Sequence, residues 1–457
     1  NIWFVGWFSA MFFVTIYWRT KIVTTAEYLE KRVNVYTRGF FSLIMTAMII
    51  AMMTYAVYMG ALLLEELLVW PAWATGKSPF WISVTVIGFV AGFYVIYGGM
   101  RAMLSMDIVQ AVFLLLTVFT VGITGFYILG GFSGIKEMSQ IGEAGVPLRS
   151  IIPPVDFSLT SNKFFPLPAI LSWSLIAALS WIICNFSMAQ RLLASKDENN
   201  AQKALIMGGI FNTVLMFMAY LAGMAARKVM PDVEPDKAFI NIMFNYFPVG
   251  VRGLLVAGII SALLSTIDGL ISSSSSLFTQ DIYLKFINPK LKGKKLKRLI
   301  RIIDIIIILL NFIIIPVYLN SRSGLEVIQQ FMGDVMGVII ALFIVGTFFK
   351  RTTAWAAFFS MVIGTTLALT LDFTTDLNFG FIGTLSFVIT IVFSLIGSRF
   401  ETPKTTKELE NLTVWTIPGI KGPFIGLKSW PNLWKWAVGL PIVWIIITIA
   451  WEWYMKS

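Results

Sequence analysis

Long apolar runs limit this chain's fold more than any other feature. A helix needs roughly 20 residues to cross about 30 Å of hydrocarbon. We read twelve runs of that order: 1–18, 39–67, 80–99, 106–130, 166–189, 204–225, 251–284, 300–319, 324–349, 353–372, 380–398 and 433–454. Only 13% of the 457 residues are charged, while 57% are hydrophobic. Soluble domains carry about a quarter charged residues, so too little polar surface is present here to cover a soluble fold of this length. The expectation is a polytopic all-α membrane protein, because a helix satisfies its own backbone in lipid. Histidine is absent and Cys184 is the single cysteine. That removes histidine acid–base catalysis, Ser-His-Asp triads, Cys/His zinc sites and internal disulfides. With no G-x-x-x-x-G-K-[ST] run for ATP, the question becomes what the chain moves, not what it catalyses.

The net charge of +11 does not form a soluble basic domain. Of the 35 Lys and Arg, 25 fall in or beside the loops after spans one, three, five, seven, nine and eleven. By the positive-inside rule that side is cytoplasmic, and both ends of the chain lie outside. The basic run at 285–301 reads as a topology anchor touching anionic lipid rather than as a nucleic-acid site. The outer stretch 131–165, with Pro147, Pro153 and Pro154, reads as an ordered loop or lid. The inner stretch 399–432 is rich in Pro, Lys and Trp, and no linker divides the chain into independent folds. Because the first span begins at Asn1 and not at a methionine, we expect the beginning to be missing.

Ionisable residues at membrane depth are costly and face a bundle interior or a water-filled path. Here they are Glu65, Glu66, Asp107, Asp268, Asp304, Glu326 and Asp334. The richest span is the seventh, S-A-L-L-S-T-I-D-G-L-I-S-S-S-S-S-L-F-T-Q-D-I-Y at 261–283. Its five-serine run, read as a linker in a soluble chain, must be helical here. Ala262, Ser265 and Thr266 share one helical face at i, i+3 and i+4, with Asp268 close by. Hydroxyl and carbonyl oxygens suit a hard alkali cation. Back-bonded hydroxyls in a small-residue packing face fit the same spacing. Spacing leaves both readings open.

Several segments resemble the sodium:solute symporter family: Y-G-G-M-R-A-M-L-S-M-D-I-V-Q at 97–110, N-F-S-M-A-Q-R-L-L-A-S-K at 185–196, and S-T-I-D-G-L-I-S-S-S-S-S-L-F-T-Q-D-I-Y at 265–283. V-T-T-A-E-Y-L-E-K-R at 23–32 and F-P-V-G-V-R-G-L-L-V-A-G at 247–258 are similar too. The likeness runs in order from Lys21 to about Arg351, nearest the sodium–sugar cotransporter branch. It implies a leucine-transporter-like core of inverted five-helix repeats. In that register residues 1–350 hold core helices two to ten, 351–457 hold three C-terminal helices with a cytoplasmic loop, and core helix one is missing. Such a shortened chain is expected not to transport.

Carried over by resemblance, Ala262 (through its carbonyl), Ser265 and Thr266 form the main sodium site. Asp107 matches the carboxylate of members that bind a second sodium, and Asp268 and Gly269 stand where those members carry hydroxyls. One sodium, two, or a proton on Asp268 therefore stay open. For the solute the branch implies Asn185, Asn212 and Gln329, with Trp181 as an aromatic wall. Asn212 stands where sugar transporters carry a Lys, and Ser187 where the best-known members close the site with a Tyr. The implied function is sodium-coupled symport of a sugar or sugar-like solute by alternating access. The alternatives are proton coupling, a solute such as sialic acid, a polyol, a carboxylate or an amino acid, and a membrane sensor module. Scattered carboxylates speak against a channel. The expected partners are sodium, a small solute and membrane lipid.

Overall fold

Without competing water, each apolar run satisfies its backbone groups within its own helix, and the chain becomes a set of packed helices. The computed structural model describes residues 2–138 and 167–456, apart from 69, 72, 234–236, 322–323 and 421. The described order is α1 (Ile2–Phe12), α2 (Val14–Thr20), α3 (Thr25–Arg32), α4 (Val35–Leu67), α5 (Ser78–Leu129), α6 (Gly131–Met138), α7 (Leu167–Ile183) and α8 (Phe186–Leu193). It continues with α9 (Glu198–Val229), α10 (Ala238–Tyr246), α11 (Val249–Ser276), a π-helix (Leu277–Ile287), α12 (Gly293–Leu319), α13 (Gly324–Phe348), α14 (Ala354–Thr374), α15 (Phe379–Gly397) and α16 (Leu433–Lys456). The chain is a multi-pass membrane protein of all-α class.

Among the described residues ten helical stretches are long and apolar enough to cross a membrane, or eleven counting the bent pair α7–α8. The sequence suggested twelve. The difference lies at 1–18, which forms α1 and α2 with an interruption at Phe13. That interruption is slight: Phe13 N still donates to Ser9 O at 2.9 Å, and Tyr17 N to Phe13 O at 3.0 Å.

The spans expected at 80–99 and 106–130 merge into α5, a helical stretch of 52 residues. Straight, it would measure about 78 Å, far more than a bilayer. It folds back instead. Ile87 lies with Leu263 against Gly60, whereas Asp107, about twenty residues later, bonds Ser265 beside that same turn of α11. The two limbs, Ser78–Gly98 and Met103–Leu129, are each of crossing length.

The five-serine run is helical, and α11 passes directly into the π-helix at its C-terminal end. Buried side chains of α1–α4, α7, α8, α11, α12 and α13 form one apolar core, and a second joins α5, α9, α10 and α11. Large apolar side chains remain outward on the rim, such as Phe89, Phe93, Ile313, Phe373 and a broad face of α16, as lipid contact requires. Helices α14 and α15 pack on α13 rather than standing apart. The stretch 399–432 has no long helix among its described residues yet is tied in: Val414 N donates to Thr347 O and Gln202 Nε2 to Gly426 O, both at 3.1 Å. Most of the expected outer lid, residues 139–165 of 131–165, lies outside the described residues, as does the side chain of Glu326.

Candidate cation and solute site

The site starts from a break. Between α7 and α8 the helix axis turns by 48° at Cys184–Asn185. A broken helix leaves carbonyls without intrahelical partners, which is costly at membrane depth. Here Tyr17 Oη donates to Ile183 O at 2.8 Å and Thr25 Oγ1 to Cys184 O at 2.9 Å. Asn185 restarts the helix as its N-cap, its Oδ1 accepting from Ser187 N at 2.9 Å. Asn185 is fully buried and its Nδ2 has no hydrogen-bond partner. A donor group is therefore held unspent at the break.

On α11, Ser265 is half-buried, and its Oγ donates to Asp107 Oδ1 at 2.5 Å. Thr266 is exposed and donates to the Ala262 carbonyl at 2.9 Å. Asp268 is fully buried, and neither of its oxygens makes a well-formed hydrogen bond, although the Gly269 amide, Arg191 and Asp107 stand near. The structure thus gathers Asp107, Ser265 and Asp268 in one place, with Ala262 and Thr266 on the adjoining turn. Carbonyl, hydroxyl and carboxylate oxygens are the donor set a hard cation takes.

Arg191 is the residue sequence reasoning passed over. Its Nε and Nη2 both donate to Asp107 Oδ2 at 3.2 Å, and its Nη1 donates to Ser187 O at 3.0 Å and to Ser187 Oγ at 2.9 Å. The signal was present: an arginine within an apolar segment requires a carboxylate partner, and few carboxylates are at hand.

The other proposed solute residues are less closely gathered. Trp181 is half-buried on α7 against the main core, and Gln329 is half-buried on α13, which packs along α7. Asn212 is half-buried on α9, a helix packed on α1 and α5, and its Oδ1 has no partner. Among the described residues no hydrogen bond joins any two of Trp181, Asn185, Asn212 and Gln329.

A family model described as the sodium:solute symporter family matches residues 1–364. The chain belongs to the sodium:solute symporter family. Among its relatives, the sodium/glucose cotransporter of Vibrio parahaemolyticus is 26% identical over 430 residues, covering 88% of this chain and 76% of that protein. The sodium/myo-inositol cotransporter of Mus musculus is 24% identical, covering 90% of this chain and 64% of that protein. The chain thus spans between about two thirds and three quarters of these symporters' length. Among solved structures, a Na+-coupled sialic acid symporter in a substrate-bound outward-open state superposes with a TM-score of 0.74 at 20% identity, covering 88% of this chain and 84% of that one. A nucleobase-cation-symport-1 family transporter superposes at 0.53 and 11% identity, covering 90% and 88%. The symporter fold is therefore leucine-transporter-like. The relatives are transporters, not enzymes.

Proposed function

We propose that this family member carries a small, uncharged, polyhydroxylated solute, a sugar or sugar-like polyol, together with sodium. Family membership supports the sodium coupling, and the glucose and myo-inositol relatives support the solute class. The observation that carries the reading is the junction at α11. There Ser265 meets Asp107 within reach of a broken helix whose Asn185 Nδ2 stays free to donate. In this reading sodium takes the Ala262 carbonyl and the Ser265 and Thr266 hydroxyls, with Asp107 and Asp268 supplying negative charge. Asn185, Asn212 and Gln329 offer amides to the solute's hydroxyls and Trp181 an apolar wall. Residues 1–350 act as the transport core, and 351–457 support it from the side of α13.

Sodium drives transport only if it binds one state more tightly than the other. The test, made with the complete protein, is uptake of labelled glucose and of myo-inositol into proteoliposomes under an inward sodium gradient, a proton gradient or choline. Accumulation with sodium and none with choline is the expected result. Uptake of both solutes that ignores sodium overturns the proposal.

A further inference from the structure

We infer that Arg191 couples the cation site to the break between α7 and α8, acting as a positioning residue that touches neither ion nor solute. The inference rests on the proposed function above and adds how the two sites communicate.

Three elements meet on this one side chain. Asp107, on α5, takes the Ser265 hydroxyl on Oδ1 and the guanidinium on Oδ2. The same guanidinium holds the carbonyl and hydroxyl of Ser187 on α8. The Ser187 amide in turn donates to Oδ1 of Asn185. An unbroken run of hydrogen bonds therefore leads from Ser265 to the residue at the break. Arg191 also lies close against α11 where Gly269 has no side chain. A Cβ there would stand 3.0 Å from both Nη atoms and 3.1 Å from Ser187 Oγ.

The cluster has two resting places for one guanidinium. Asp107 holds it now, while Asp268, fully buried beside it, has oxygens without good partners. A cation settling on Ser265 draws Asp107 toward itself and weakens that carboxylate's hold on Arg191. A half-buried guanidinium at membrane depth still needs a counter-charge, so it turns toward Asp268. In turning it pulls on Ser187, and so on the first turn of α8 and on Asn185. A bidentate, planar head is required, since it must grip a carboxylate and a backbone carbonyl together. This is a switch with two discrete arrangements, which is what coupling between sites demands.

The chain carries its own reporter, because Cys184, its single cysteine, is fully buried at the break. The experiment follows alkylation of Cys184 by N-ethylmaleimide in the full chain in lipid nanodiscs, in sodium or in choline, alongside binding of ²²Na+. In the parent, sodium is expected to change the alkylation rate about fivefold or more, the low end of usual coupling. Arg191→Gln is expected to keep ²²Na+ binding, since Asp107 remains, yet to lose the response at Cys184. Arg191→Lys is expected to lose it as well. Ser187→Ala, which leaves the Arg191–Asp107 pair intact, is expected to weaken it and carries the test if the arginine variants do not fold. Parent-like responses in Arg191→Gln or, in that case, in Ser187→Ala overturn the inference. So does a parent that binds ²²Na+ with no change at Cys184. A parent that binds no ²²Na+ overturns the proposed function itself.

Discussion

A hydroxyl at membrane depth can bond back to the carbonyl one turn earlier or reach across to another helix. Helix α11 does both. Ser273 bonds back to Gly269 O, Ser274 to Leu270 O and Thr266 to Ala262 O, whereas Ser265 reaches Asp107. Sequence spacing could put Ala262, Ser265 and Thr266 on one face but could not choose between these two habits. That choice depends on what stands opposite. In the complete protein, Ser265→Ala should therefore raise the sodium needed for half-maximal uptake in proteoliposomes by about tenfold or more, roughly 1.4 kcal/mol lost from a charge-assisted site. Thr266→Ala should shift it in the same direction, and Ser274→Ala should leave it in place. Sodium curves for Ser265→Ala and Thr266→Ala that overlay the parent's would remove this face from the mechanism.

At the scale of elements, close approach between helices decides the packing. A Cβ on Gly337 of α13 would stand 2.0 Å from Gly383 O of α15, and one on Gly258 of α11 would stand 1.9 Å from Thr117 Oγ1 of α5. Backbone cannot yield as a flexible side chain can. Gly337→Ala should thus lower stability by about 1–3 kcal/mol, read as a fall in the thermal midpoint in detergent. An unchanged midpoint would mean that α13 and α15 are not held this closely. The break at Cys184–Asn185 is an element of another kind, kept open by two hydroxyls borrowed from α2 and α3. Tyr17→Phe and Thr25→Val should each cost about 1–3 kcal/mol by leaving a buried carbonyl unmet, while Tyr36→Phe, on an exposed ring, should cost almost nothing. Equal losses in all three variants would deny the break its props.

Across the whole molecule, one ionic cluster ties α3, the N-terminal part of α4 and the π-helix together. Arg38 binds Asp281 through Nε at 2.8 Å and through Nη2, and it binds Glu30 at 2.5 Å. Thr24 and Ser42 complete Asp281, and Lys285 meets Glu30 at 2.5 Å. With Asp281 fully buried, Arg38→Met should destabilise by about 3–5 kcal/mol, and the double variant Arg38→Met/Asp281→Leu by clearly less. Double-variant unfolding as early as the single would contradict this account. Glu30 lies outside the spans. Burial raises its pKa, but Lys285 and Arg38 outweigh that and bring it below the usual 4.5. A lowered native pKa means its contribution is complete above that ordinary value and fades as pH falls through the native one. Thermal midpoints should then drop between about pH 5 and 3 in the parent and less steeply in Glu30→Gln. Parallel curves would show that Glu30 adds nothing there.

Hydropathy and motif order made the membrane class, most spans and the family resemblance legible from one dimension, because length and apolarity are local properties of a segment. The helical five-serine run was legible for the same reason, and Asp107 and Ser265 could be named as candidates because their motifs are contiguous. Distance between segments is not local. The fold-back of α5, the hydroxyls that hold the break, and the choice of Asp107 rather than Asp268 for Arg191 all depend on neighbours far away in the chain. Arg191 and Asp107 are 84 positions apart, and Arg38 and Asp281 are 243 apart. Sequence stated how much charge had to be neutralised inside the membrane, and only packing in three dimensions decided which partners neutralise it.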